Sequence, residues 1–541
     1  MKRIYALLTA LLLTIAATAQ TLNVQVGSVT YQFPASQCGE MTYTDGTTLT
    51  IMGKTFTLGD ISAMTVDQSE VTDGVVSVSY DGSSATVTVA GNIAQYVTPT
   101  VNGAHVSIAQ SDNLAEEITY TLSGTSTDGE FYMSGSYKAT LELNGLTLTN
   151  ATPVYSGAAI HIQNGKRIKV KPVTGTTNTL VDAVGGSQKG CLYIKGHAEF
   201  AQKGTLNVVG NVKHGIKTGE YFTIKNAIIN ITSAIGDGIN CGQFFLMESG
   251  TITINGTQDD GIQCDIDDTD TYPTGTGETT DHEDEDSGNI YIEGGTLNIS
   301  VTADAAKGIK SEGDMRISDN AIISVTTTGA GGEGIESKTT IDITGGQVTI
   351  NASDDAINAS YNDDTKSLSN AGNLTISGGY VYARSTGNDG IDANGNVYIK
   401  GGLVYAIGAS SPEVAIDANS EEQKKLYVQG GTLVAIGGLE RGASLTQSCY
   451  STNSWNKNTW YALTVGSDVF AFKTPSSGGS TMVVSGASQP SLKSGVTVSS
   501  GTNIFDGVGY TGATISGGSN VTLSSYTGGN QPGGGGPGGR H

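Results

Sequence analysis

A tetrapeptide returns along the second half of this sequence: "GDGI" at Gly236 comes back as "DDGI" at Asp259, "GEGI" at Gly332, "DDAI" at Asp354 and "NDGI" at Asn388. Aligned on the isoleucine, the series runs Ile216, Ile239, Ile262, Ile309, Ile335, Ile357, Ile391 and Ile416, with most spacings of 22 to 26 residues and polar insertions in the two longer intervals. Between these marks the text is a short strand, a Gly-Gly turn and a second strand, as in "NIYIEGGTLNIS", "TIDITGGQVTI", "NLTISGGYVYA" and "NVYIKGGLVYA". Apolar and polar residues alternate within each strand, so one face is buried. A unit this small cannot bury that face alone, whereas stacked copies can. The expected architecture is therefore all-β: a right-handed parallel β-helix with about three strands per turn and coils about 4.8 Å apart.

Text with the same rhythm and poorer periodicity carries the helix back, giving a β-helix domain over residues 115–440. Residues 20–110, with the hairpin text "VVSVSYDGSSATVTVAG", read as a small N-terminal β domain. Residues 441–527 lose the repeat and read as a C-terminal β cap, which solenoids need. The Gly/Pro-rich end, 528–541, is expected to be disordered. At the other end "MKRIYALLTALLLTIAATAQ" has the basic start, short apolar run and Ala-Thr-Ala site of a signal peptide over residues 1–19, so the protein is expected outside the cytoplasm, at the cell surface or in a periplasm. No later apolar run is long enough for a transmembrane helix. A monomer is expected.

The 51 acidic against 28 basic residues give a formal charge of −23, which argues against nucleic acid as a partner and favours cations or cation-bridged ligands. The acids also sit in register. Two residues before each isoleucine stand His214, Asp237, Asp260, Lys307, Glu333, Asp355, Asp389 and Val414; just after it stand Lys217, Asn240, Gln263, Lys310, Glu336, Asn358, Asp392 and Asp417. Both positions are polar, so both are expected to face outward along one edge. Carboxylates one coil apart repel, and Ca²⁺, which takes 6 to 8 oxygen ligands, would compensate. Two candidate metal sets follow: Asp237, Asp259, Asp260 and Asp265, then Asp354, Asp355, Asp389 and Asp392. The competing reading is a solvated ladder of Asp-Gly turns. An acidic insertion, residues 265–286, adjoins the first set and is either a metal-ordered loop or a solvated polyanionic one.

Among the five cysteines, Cys241 and Cys264 share a register two residues after their isoleucines, so they should point inward on adjacent coils as a disulfide or a reduced pair. In "GGYVYARS" and "GGLVYAIG" the alternation turns Tyr380, Tyr382 and Tyr405 outward, a platform for sugar rings unless the C-terminal cap covers them. HExxH, P-loop and GxSxG motifs are missing from the sequence, so zinc hydrolysis, nucleotide binding and serine catalysis have no support.

"TYTLSGTSTDGEFY", "ATLELNGLTLTN", "GTTNTLVDA", the "GDGI" and "DDGI" turns and the "ISGG" strands together resemble the secreted carbohydrate-binding right-handed parallel β-helix family, similar in fold to calcium-dependent pectate lyases. The resemblance covers roughly residues 115 to 480. It implies binding of plant cell-wall polysaccharides such as cellulose or pectin, Ca²⁺ held by turn aspartates, here Asp237, Asp259 and Asp260, and no demonstrated lyase chemistry. The turns "KHGI", "AKGI" and "EVAI" depart from the acidic pattern. A calcium-dependent polysaccharide lyase is the alternative: β-elimination of a uronate needs a cation and a base, and Lys307 or Lys310 could be that base. Lys307 could equally be the salt-bridge partner of Asp260. A structural surface adhesin is the third reading.

Overall fold

The computed structural model describes residues 20–266, 287–318 and 320–528. Residues 1–19, expected from their sequence to be a signal peptide, the Gly/Pro-rich residues from 529 onward and all but the first two residues of the acidic insertion lie outside the described residues. The chain divides into two compact units at Asn207/Val208. Among the described residues, helix is limited to three short 3₁₀ segments, and no helix is long and apolar enough to cross a membrane.

The first unit opens on antiparallel pairs: Thr21–Val26 lies between Val29–Pro34 and Ala63–Asp67, and Val75–Asp81 makes a hairpin with Ser84–Ala90. Val75–Asp81 then pairs in parallel with Ile118–Ser126, and that strand with Ala139–Thr149. A second parallel stack begins at His105–Gln110 and continues through Glu130–Ser134, Ile160–Gln163 and Gly190–Ile194. Parallel pairing has therefore begun well before the regular repeat.

The second unit holds three parallel stacks. The first runs through Ile239–Cys241, Ile262–Cys264, Ile309–Ser311, Ile335–Ser337, Ile357–Ala359 and Ile391–Ala393, and single bridges carry it to Ile416 and Leu439. The second includes Asn289–Ile292, Met315–Ile317, Ile341–Ile343, Leu374–Ile376 and Val397–Ile399. The third includes Thr296–Val301, Ile322–Thr327, Gln347–Ala352, Tyr380–Ser385, Leu403–Ile407 and Thr432–Ile436. Each repeat thus contributes one strand to each stack, the long-stacked parallel pattern of a β-solenoid. Its core is a set of like-on-like columns: every aligned isoleucine from Ile216 to Ile416 is buried.

Two glycine positions are favoured by this geometry. In the Gly-Gly turns the second residue has positive φ, +86° at Gly295 and +75° at Gly379, a region that costs side chains with a Cβ. Before the isoleucine, a Cβ on Gly238 would lie 2.7 Å from the Gly261 carbonyl oxygen and 2.7 Å from Ile254, which favours glycine there, although Ala356 and Ala415 hold the same place in their coils and are buried.

Beyond the repeats, Met482–Ser485 pairs antiparallel with the last strand of the third stack. Trp460–Val465, Asp468–Lys473, Ser491–Ile504 and Gly509–Val521 close into a small antiparallel barrel. Cys241 and Cys264 stand opposite each other on adjacent coils, buried and unlinked.

Candidate functional site

The first stack presents the acidic edge, and the edge is not where alternation puts it. Asp237 is 1% exposed, Asp260 4%, Asp355 5% and Asp389 7%, so the expectation that the position before Gly-Ile faces solvent is corrected. The reason is local. The backbone enters each coil at this point, and the side chain folds over its own turn to accept an amide from the following coil: Lys307 N–H donates to Asp260 Oδ1 at 2.6 Å, Asp389 N–H to Asp355 Oδ1 at 2.9 Å and Val414 N–H to Asp389 Oδ1 at 2.5 Å. His214 plays the same part, its Nδ1 accepting from Asp237 N–H at 3.1 Å.

At the first set, one oxygen from each of Asp237, Asp259 and Asp260 lies within 4.8 Å of the others. Asp259 is exposed and supplies the solvent side. Asp237 Oδ2 accepts from Asn240 Nδ2 at 2.7 Å, while its Oδ1 is buried with no hydrogen-bond donor. Leaving a buried carboxylate oxygen unpaired costs about 1–3 kcal/mol or more, and a hard cation is the partner such an oxygen fits. Asp260 is pushed up to about 7, chiefly by burial, with the charges of Asp237 and Asp259 adding to it. Asp265 is not part of this trio. Its carboxylate is taken by Asn240 Nδ2 at 3.1 Å and by Gln263 Nε2.

The second set is regrouped. Asp389 and Asp392 come together with Asp417, again within 4.8 Å, whereas Asp355 spends both oxygens on Asp389 N–H and Asn388 Nδ2 and Asp354 joins only through its charge. Burial, then the hydrogen bond to Glu440 and the charges of Asp389 and Asp392, push Asp417 up to about 11. Burial, then the neighbouring acids, puts Asp392 at about 6. A proton therefore stays among these carboxylates at neutral pH. Asp417 occupied a visible place in the ladder, but Glu440 did not, because the isoleucine of its coil is replaced by Leu439.

The two lysines lie farther from this chemistry than their register suggests. The Asp260 carboxylate takes the Lys307 backbone amide, not its ammonium; the ammonium lies 3.6 Å from Glu333 Oε1 and donates to Ala305 O at 3.0 Å. Lys310 Nζ is 3.4 Å from Glu312 Oε1. Burial opposes its charge, but Glu312, Asp260 and Glu336 together outweigh burial and raise its pKa, which holds it as a cation.

Of the three tyrosines, Tyr380 alone is exposed, at 40%. Tyr382 and Tyr405 are in register as expected but buried beneath the C-terminal barrel: Phe505 lies 5.6 Å from the Tyr382 ring, Phe472 lies 5.2 Å from the Tyr405 ring, and Tyr405 Oη donates to Lys473 O at 3.1 Å. Neither presents a ring face to solvent.

A family model described as "Carbohydrate-binding domain-containing protein" matches residues 102–362 and 299–449 of this chain. No curated protein matches it. A solved structure to which it is similar is that of a polysaccharide lyase-like protein from C. thermocellum, a gadolinium derivative, at 22% identity, with 50% of this chain and 96% of that chain covered and a TM-score of 0.39.

Proposed function

Since this chain belongs to the family of carbohydrate-binding domain-containing proteins, we propose that it is an exported, non-catalytic polysaccharide-binding protein that uses Ca²⁺ to recognise acidic cell-wall glycans of the pectin kind. The observation that carries the reading is the approach of one carboxylate oxygen each from Asp237, Asp259 and Asp260 to within 4.8 Å, at a residue, Asp237, whose buried Oδ1 has no hydrogen-bond donor. These three supply the protein side of an oxygen-rich cation site, and an exposed Asp259 leaves room on the outer side for a uronate oxygen. Ca²⁺ suits such a site better than Mg²⁺, which demands a tight octahedron and keeps its waters. Asp389, Asp392 and Asp417 are a second candidate set. Right-handed winding, the usual hand for parallel crossovers, and an end-capping role for residues 441–527 belong to the same proposal. The lyase alternative needs an uncharged Lys310, whereas without a metal Glu312, Asp260 and Glu336 raise its pKa.

Calorimetric titration with polygalacturonate, with and without Ca²⁺ and with absorbance followed for unsaturated product, tests the proposal. Saturable binding that needs Ca²⁺, yields no product and weakens tenfold or more in Asp237→Asn is the expected result. Product that disappears in Lys307→Ala or Lys310→Ala would replace the reading with the lyase. Absence of any glycan binding would leave the adhesin.

A further inference from the structure

The first unit contains an aromatic surface that the acidic edge does not explain. In its second parallel stack, Tyr132, His161 and Tyr193 stand in register on three successive strands. The His161 ring meets Tyr132 at 4.8 Å and Tyr193 at 5.0 Å, edge to face in both cases. Tyr155, from the loop after Ala139–Thr149, lies flat on Tyr132 with centroids 5.0 Å apart and 22° between planes. It is 36% exposed, and its neighbours Val154 and Val184 are 48% and 83% exposed. Three of the eight exposed large apolar residues among those described therefore fall on two adjoining loops, which are joined by Ala183 N–H donating to Gly157 O at 2.9 Å.

These loops are built, not loose. Glu130, 2% exposed, turns one carboxylate oxygen to the consecutive amides of Val154 and Tyr155, at 2.7 and 3.1 Å, and to His105 Nδ1 at 2.8 Å. Its other oxygen accepts from Asn150 Nδ2 at 3.0 Å. Asp128 Oδ1 accepts from the amides of Ala151 and Thr152 at 3.2 and 2.7 Å. A buried carboxylate spent on the two amides that aim an exposed tyrosine fixes that ring before any ligand arrives, which removes much of the ordering cost of binding. The polar groups beside it are uncharged: Ser156 Oγ is 2.6 Å from His161 Nδ1, and His161 Nε2 is 3.0 Å from Gln163 Oε1. Burial lowers the His161 pKa, so its ring is neutral at pH 7.

We infer that Tyr155, held on Tyr132 by Glu130 and followed by Ser156, is a stacking subsite for a neutral hexopyranose glycan, with Gln163 and Gln188 gathered around the His161 ring that meets Tyr132 edge-on. The flat C–H face of such a sugar fits a fixed ring face, with hydroxyls reaching the amide and hydroxyl groups at its side. A uronate would meet the part-exposed Asp128, whose Oδ1 holds the amides of Ala151 and Thr152 in the same loop. The inference rests on the carbohydrate-binding reading above but uses none of its acidic residues.

The test titrates the full chain with cellohexaose and mannohexaose in chelator, beside polygalacturonate with Ca²⁺. The expected result is saturable binding of a neutral hexaose without Ca²⁺, weakened tenfold or more by Tyr155→Ala, largely retained by Tyr155→Phe and unchanged by Asp237→Asn. Tyr155→Ala should still bind polygalacturonate with Ca²⁺, which also reports that it folds. If neither hexaose binds, or if Tyr155→Ala binds them as well as the parent, this inference falls. Polygalacturonate binding in the same samples would then leave the cation-bridged reading standing, and its loss would remove both.

Discussion

Glu333 shows what the acidic edge costs a single residue. Burial first, and the charge of Glu336 next, push it up to about 7 from an ordinary 4.5, and one of its oxygens has no donor, although the Lys307 ammonium lies 3.6 Å from the other. Its folded pKa is raised, so between pH 4.5 and 7 the folded protein holds a proton that the unfolded chain has released. The stability this gives is full below about pH 4.5 and is lost as the pH rises through about 7. Glu333→Gln keeps the shape and removes the titration. Between pH 5 and 8, in chelator, the parent should lose about 1–3 kcal/mol more unfolding free energy than the variant, after allowing for the weak pair with Lys307. Urea denaturation at the two pH values measures this. Equal losses would mean that Glu333 is ionised in the folded protein throughout.

At the scale of the coil, the recurring acid before Gly-Ile is a staple before it is a ligand, since in Asp260, Asp355 and Asp389 it accepts the next coil's amide. Asp355 separates the two roles, because both its oxygens are occupied by Asp389 N–H and Asn388 Nδ2. Asp355→Asn retains an acceptor for the amide and, with the Asn388 side chain turned so that its oxygen accepts from the new NH2, should cost under about 1 kcal/mol, whereas Asp355→Ala strands a buried N–H and should cost about 2–3 kcal/mol. Thermal unfolding with and without chelator decides the matter. A cost that appears only when Ca²⁺ is present would make Asp355 a ligand instead. The repeat was legible because strand alternation and coil length are local properties: the isoleucine columns and the facing Cys241 and Cys264 follow from counting. What covers an outward residue is not local. Tyr382 and Tyr405 have the right register, yet the rings over them come from Phe470, Phe472 and Phe505, in text with no repeat. Likewise nothing in the spacing shows that Glu130 aims Tyr155, because a buried acid and a turn acid look alike in sequence. The one available signal was an apolar Val-Tyr pair set in Pro/Ser/Gly text.

For the molecule as a whole, the formal charge of −23 sets how a polyanion can approach. A polyuronate meets net repulsion, which is felt over a Debye length of about 8 Å at physiological ionic strength and fades as salt is added. Bound Ca²⁺ reverses the sign locally, because the attraction between cation and uronate is itself weakened by screening and by competing cations. The salt dependence should therefore change direction with the metal. In chelator, residual binding of polygalacturonate should strengthen when NaCl is raised from about 20 to about 300 mM, a range over which the screening length shortens severalfold. With Ca²⁺ saturating, the same change should weaken binding severalfold. A neutral hexaose bound at Tyr155 should show no slope in either condition, since no charge is brought together. Titrations at the two ionic strengths, with and without Ca²⁺, give all three slopes. If the polyuronate slope has the same sign with and without Ca²⁺, the cation does not bridge protein and glycan, and the acidic edge would be left with its structural role of joining coil to coil.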